Sequence, residues 1–360
     1  MVYTHLVPTK ASDQRKRSIS SMLLIGLLIC CAHQAYASPW ILPKDHFALS
    51  ATYDYAYASQ EFLATTGELT DFSLNGRYQA HAYTLGIRLS ITDFLELQTT
   101  LPFKSVNYQA DPVVLLPSGP DVQRAFDYYQ DNIINLNQSI MGLGDMSIAA
   151  RFRLTTYPIA SSFEVGLSAP TGYDAPSGTF GDSPTSVEDF VENAAMYASP
   201  DNIKDDITLG DSAFAMTSIL HVGYGHAKGF FVRGSAGFRM RNQGAGDLLL
   251  YEVKLGQLIT PWLLIYGGVY QEKTVISGRV IGVSVAAEDP NLPARDYEGL
   301  KNLKPILISL DRDVLSTPIG LLIKPIPNVN FTLTYTPIIS GRNVAKSHIV
   351  SVGVNLVRRY

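Results

Sequence analysis

The stretch HAYTLGIRLSI, from His81 to Ile91, decides the fold. Tyr83, Leu85, Ile87, Leu89 and Ile91 alternate with Ala82, Thr84, Gly86, Arg88 and Ser90, and alternation of period two marks a strand whose two faces meet different surroundings. One face suits lipid and the other suits water. In a soluble sheet the apolar face needs a covering layer, whereas in a transmembrane barrel the lipid itself covers it.

The same alternation returns from Phe47 to Tyr57, Leu95 to Phe103, Met146 to Leu154, Phe163 to Ala169, Phe214 to Tyr224 and Phe230 to Met240. Along the whole chain it recurs about twelve times, an even number that returns both termini to the same side of a membrane. Connections alternate in length as such a meander requires. Short turns fall at Thr92 to Phe94, Thr155 to Ser161, Gly225 to Lys228, Thr260 to Trp262 and Lys324 to Val329. Long connections fall near Phe62 to Gln79, Ser105 to Asp145, Tyr173 to Asp211 and Thr274 to Asn302, with shorter ones at Asn242 to Asp247 and Gly341 to Lys346. The stretch from Thr274 to Pro318 divides ambiguously, which leaves the strand count open by about two. The fold class expected is therefore all-β: an antiparallel transmembrane β-barrel of about twelve strands with helical insertions in the extracellular loops.

Ahead of these strands, Lys10, Arg15, Lys16 and Arg17 precede an apolar run from Met22 to Ala32 that ends near Ala35-Tyr36-Ala37. Charge, apolar run and small-x-small site in that order form a secretory signal peptide, and the run is about half the roughly 20 residues of a spanning helix. Residues 1–37 are thus expected to be a cleaved leader and 38–360 a single barrel domain. Cys30 and Cys31 fall within the leader, so the mature chain holds no cysteine. Removing the leader leaves 24 basic against 31 acidic residues, a balance unsuited to nucleic acid. Twenty tyrosines and fifteen phenylalanines against 17% charged residues favour strands with an aromatic-rich outer surface.

The last segment, HIVSVGVNLVRRY, puts Val350, Val352, Val354, Leu356 and Tyr360 on one parity and ends on an aromatic residue. A terminal amphipathic strand of this kind is what the barrel-assembly machinery of a Gram-negative outer membrane reads. The expected surroundings are membrane lipids and lipopolysaccharide. An edge strand of a periplasmic sandwich is the competing reading, and it leaves the exposed aromatics on so many strands unexplained.

Inward parity collects both signs of charge: Arg88 and Glu96; Arg151, Arg153 and Glu164; Arg233, Arg239 and Arg241; Glu252 and Lys254. Across the turn at Thr155 to Ser161, parity can set Arg153 opposite Glu164 with Arg151 one diagonal away. These groups either fill the interior as structural rungs or line a selective pore. Two loops carry helical spacing. After Ser118-Gly119-Pro120, the segment Asp121 to Gln138 brings Val122, Phe126, Tyr129 and Ile133 to one face; after Ser183-Pro184-Thr185, Val187, Phe190, Val191 and Ala194 do the same. Such helices either cap the barrel and capture an apolar solute or pack on each other to protect the rim.

No catalytic set emerges. None of His46, His81, His221, His226 or His348 has Ser two residues on, as the outer-membrane phospholipase requires, and His348 reaches Ser351 only on the opposite strand face. The histidines lack metal-ligand spacing, and no glycine-rich phosphate loop is present. Neither a cofactor nor a metal is expected.

The chain resembles a family of outer-membrane transporter-like barrels named for the MetA pathway of phenol degradation and related to the FadL-like hydrocarbon transporters. Ser38-Pro39-Trp40 before the first strand, Leu101-Pro102-Phe103-Lys104-Ser105, Gly142-Leu143-Gly144-Asp145 and Pro170-Thr171-Gly172-Tyr173 carry the resemblance. It implies passive uptake of small hydrophobic or aromatic molecules. The fatty-acid transporters hold a long N-terminal hatch inside the barrel, whereas here only about eight residues separate the leader from the first strand, so any gate is expected from the loops. The leading expectation is a channel whose residues Phe126, Tyr129, Ile133 and Phe190 capture an apolar solute above a charged lumen. A closed structural or adhesive barrel with partner-binding loops, and an enzyme at the rim, are the alternatives.

Overall fold

The computed structural model describes residues 39–64, 66–72, 75–109, 137–173, 207–242, 244–287 and 303–360. Strands β1 (His46–Ala58), β2 (Gln60–Phe62), β3 (Leu69–Asp71), β4 (Arg77–Ser90), β5 (Leu95–Gln109), β6 (Gln138–Leu143) and β7 (Met146–Thr155) come first. Next are β8 (Ala160–Ala169), β9 (Ala215–Gly225), β10 (Phe230–Arg241), β11 (Asp247–Thr260) and β12 (Leu263–Ile276). The chain ends with β13 (Val280–Ala287), β14 (Leu303–Ser309), β15 (Asp313–Ser316), β16 (Ile319–Ile326), β17 (Val329–Arg342), β18 (Val344–Ala345) and β19 (His348–Arg359).

Fourteen of these strands form one antiparallel sheet that closes on itself. β6 with β7, and β15 with β16, each make one interrupted stave, so the barrel has twelve staves, as the alternation requires. Closure is made by β1 against β19, paired without a break from His46↔Arg359 to Tyr57↔His348. The stretch from Thr274 to Pro318 resolves into the end of β12, a separate hairpin of β13 and β14, and the start of the β15/β16 stave. The Phe126, Tyr129, Ile133 and Phe190 helices lie outside the described residues.

Short turns and both ends of the described chain share one rim, here the turn end. The connections at the loop end begin later than expected, because β5 runs on to Gln109 and its partner starts at Gln138. There the inward residues change character. Ala56, Ala58, Tyr78, Ala80, Val106, Tyr108, Ile338 and Ile349 from the staves pack with Phe62, Phe72, Ile207, Leu209 and Val344 from the loops. This apolar cap, about 4% exposed or less at Ala58, Phe72, Tyr78, Val106 and Ile338, is the barrel's only described buried apolar cluster. The outer wall is apolar and bare: Leu85 is 58%, Val253 53% and Val352 49% exposed. A surface of that kind is stable only against lipid.

The β6/β7 interruption is a bulge. Phe103 pairs with Leu143 and Thr100 with Ser147, so three residues, Gly144 to Met146, stand opposite two, Leu101 and Pro102. Pro102 has no N–H to give, and Gly144 N–H reaches its carbonyl at 2.9 Å. Bulges re-aim side chains, and this one directs Asp145 into the lumen.

Candidate functional site

At the turn end the chain itself enters the lumen. Residues Pro39 to Lys44 cross the mouth as a strap before β1 begins. Leu42 N–H donates to Glu96 Oε2 at 2.8 Å, Ser90 Oγ donates to the Leu42 carbonyl at 3.0 Å, and Arg153 Nη2 reaches the Ile41 carbonyl at 3.3 Å. On the far wall, a Cβ on Gly223 would lie 2.4 Å from Pro39 Cγ, and the Trp40 ring meets Phe231 edge-on with centroids 6.4 Å apart. The strap therefore spans from β9 and β10 to β4 and β5. The expectation placed any gate in the loops; at the turn end the short N-terminal segment also narrows the mouth, because six extended residues reach about 20 Å.

Above the strap lies a ladder of charge. Glu96, Arg151 and Glu164 are consecutive partners on β5, β7 and β8, so opposite charges face each other across each strand pair. Arg151 Nη2 donates to Glu164 Oε2 at 2.6 Å, and Arg88 donates to Glu96 through Nε at 3.0 Å and Nη2 at 2.8 Å. Glu96 is fully buried and Arg151 1% exposed. The expected register is corrected here: Arg151, not Arg153, stands opposite Glu164, while Arg153 pairs with Ser162 one step before the turn and serves the strap. A register shift between Arg153 and Thr155 leads into the turn at 156–159, and parity alone cannot choose between Arg151 and Arg153, which share one face. His221 closes this layer, with Nδ1 hydrogen-bonded to Ser235 Oγ at 2.8 Å and Nε2 3.4 Å from Glu164 Oε2. In hydrolase relays the carboxylate faces Nδ1 and the hydroxyl Nε2; here the two are reversed and the carboxylate is held by arginine.

A second constriction closes the loop end. Residues 207–213 fold inward, and Lys104 Nζ donates to the Leu209 carbonyl at 2.6 Å. Asp211 sits between Arg241 Nη1 at 2.8 Å and Arg312 Nη1 at 2.9 Å, and Arg312 continues to Glu272 at 2.9 Å. Burial alone would raise the Asp211 carboxyl; the Arg312 and Arg241 guanidiniums overcome that and hold it far below the usual range. Asp145, delivered by the bulge, accepts from the Tyr173 hydroxyl and from Asp211 N–H. Burial pushes the Tyr173 phenol up, reinforced by the Asp145 carboxylate it touches. Ser212 N–H donates to the Tyr173 oxygen at 2.8 Å, which fixes the left-handed Ser212 (φ 51°).

Between the constrictions lies a chamber of about 140 Å³, lined by Gln98, Thr100 and Arg151 on one side and by Thr217, Arg239 and Glu252 on another. Arg233 lies 3.4 Å from Glu252, and Arg239 donates to Thr217 Oγ1 at 3.2 Å and lies 3.9 Å from Glu272. Thus Arg88, Glu96, Arg151 and Glu164 belong to the lower layer and Arg239 and Arg241 to the upper, while Arg233 stands opposite Gly223, the strap's contact on the far wall. Sequence reading missed Asp145, Asp211, Glu272 and Arg312. Glu272 was within reach of parity, since Tyr270, Glu272 and Thr274 alternate; the others sit on a bulge and on loops, where parity carries no information. Among the described residues, no three His, Cys, Asp or Glu side chains are placed to hold a metal ion.

No protein-family model matches the sequence, and no curated protein matches it. Solved structures do. The COG4313 outer membrane channel from Pseudomonas putida F1 aligns over 88% of this chain and 97% of its own, with TM-score 0.55 and 11% identity. The translocator domain of the autotransporter NalP from Neisseria meningitidis covers 88% and 89% with TM-score 0.40 and 12% identity, and the CymD monoaromatic hydrocarbon channel 88% and 90% with 0.39 and 8%. The first likeness is one of fold: a closed outer-membrane β-barrel.

Proposed function

We propose that the chain is a passive outer-membrane channel of a Gram-negative bacterium for small hydrophobic or aromatic solutes, related to the hydrocarbon transporters it resembles. The turn end is then periplasmic and the loop end extracellular. The observation that carries the reading is the chamber of about 140 Å³ held between two narrow, specifically bonded constrictions. A barrel serving only as a scaffold has no need of such a space, because side chains alone fill a small lumen. The COG4313 outer membrane channel, whose fold the chain shares, agrees with a conducting role.

An apolar cap over a charged chamber suits solutes that are small and partly apolar. They enter past the cap and leave past the strap. Most of the lumen charges are matched in pairs, so a solute meets little net field over most of the path. The test is single-channel conductance of the refolded protein in a planar bilayer, with and without small aromatic solutes. Steady conductance modulated by those solutes supports the channel; a silent barrel supports a closed structural or adhesive role, which the strap and cap at the two ends would serve.

A further inference from the structure

The inward residues of β19, β1, β4 and β5 form three successive rungs of different chemistry. The upper rung is Ile349, Ala56, Ala80 and Val106, part of the apolar cap. The middle rung is Ser351, Asp54, Ala82 and Lys104, and the lower is Gly353, Thr52, Thr84 and Pro102. One carboxylate thus lies where the apolar cap gives way to a hydroxyl-lined wall.

Asp54 is 8% exposed and Thr84 3%. Asp54 makes no salt bridge within 4 Å to any described residue, unlike Glu96, Glu164, Asp211, Glu252 and Glu272. Ser351 stands opposite Asp54 on β19 and Lys104 lies beyond Ala82 on the same rung, but the Lys104 ammonium is turned to the Leu209 carbonyl. Asp54 Oδ2 and Thr84 Oγ1 are buried and accept no hydrogen bond from a described group. Buried acceptors in that condition point to a partner from outside the chain, and Thr84 and Lys104 both line the chamber from which one would come.

We propose that Asp54 and Thr84 form a subsite for the ammonium group of an amphipathic amine, with the amine's apolar part in the chamber against Pro102, the register partner of Thr84. An ammonium brings donors only, which suits one carboxylate oxygen and one hydroxyl. A divalent metal needs about six oxygen ligands and finds one carboxylate here. An anion is repelled by Asp54, and an aromatic hydrocarbon offers no donor to either acceptor. The inference rests on the channel reading and narrows it to a substrate class.

The test is isothermal titration of the refolded full barrel in detergent micelles with benzylammonium, benzyl alcohol and benzoate, beside bilayer conductance of the same preparation. The expected result is binding of benzylammonium in preference to the other two, weakened about tenfold or more by Asp54→Asn, the loss of a charge-assisted hydrogen bond, and less by Thr84→Val. Heat-modifiable migration on gels reports that each variant is folded. Should Asp54→Asn fail to fold, Thr84→Val and the ranking of the three probes on the wild type still decide. Equal binding of benzylammonium and benzyl alcohol, no binding of either, or a preference retained in Asp54→Asn overturns the subsite. Conductance without amine preference leaves the channel standing and removes the subsite; amine binding by a silent barrel keeps the subsite and removes the channel.

Discussion

At the residue scale, the lumen depends on each buried charge having its partner. Arg151 serves Glu164 and Gln98 by hydrogen bonds and lies 3.5 Å from Glu96, so Arg151→Ala leaves two buried carboxylates without their shared cation. We expect a loss of about 3–5 kcal/mol in denaturant unfolding. A smaller loss in the Arg151→Ala, Glu164→Ala double variant than the sum of the singles would show the coupling directly. Asp211 gives a test in pH. Its folded carboxyl is held below the unfolded value of about 3.9, so its contribution to stability is complete above that value and is lost as pH falls toward the folded one. Asp211→Asn should therefore be clearly less stable than wild type at pH 7. The gap should narrow by up to about 1.4 kcal/mol per pH unit below about pH 4. A gap that stays constant to pH 2 would mean that the arginines do not act through the Asp211 charge.

At the element scale, the strap and the bulge do what the staves cannot. Strand parity can bring charges inward, but it cannot bring backbone across the lumen. The strap does so because Gly223 leaves room for Pro39 on the far wall. Gly223→Leu should displace the strap while leaving β9 paired, and single-channel conductance should rise; unchanged conductance would mean that the strap is not the narrow point. The legibility of the molecule divides along the same line. His81 to Ile91 announces its stave because both faces are pure, and Glu96, Arg151 and Glu164 were readable as lumen residues from parity alone. Their register was not, since Arg151 and Arg153 share one parity and either could face Glu164 until the turn fixes the pairing. Asp145 and Asp211 were unreadable for a related reason: each is aimed by a bulge or an inward loop, and no periodicity extends through either. Gly144 followed by Asp145, opposite Pro102, is the one local hint, a strand breaker facing a missing donor.

At the scale of the whole molecule, the usual relation of core to surface is inverted through most of the barrel. The outside is the apolar layer and the inside is charged, so the bilayer takes the place a second sheet has in a sandwich. The apolar cap at the loop end is the exception, and it reaches the lumen only where the staves extend to the loops. This arrangement ranks neighbouring substitutions by face alone. Val352 is outward on β19 and 49% exposed, while Asn355 is three residues on, on the inward face. Val352→Arg should cost about 2–4 kcal/mol for a refolded barrel in a bilayer, whereas Asn355→Arg, entering a polar lumen, should cost much less. In water-soluble packing the order reverses, because an exposed arginine is free to solvate and an inward one must be accommodated. Equilibrium unfolding of the two variants in lipid vesicles thus tests whether lipid is the solvent of the outer wall. Equal losses, or a greater loss for Asn355→Arg, would place the bare apolar wall against protein rather than membrane.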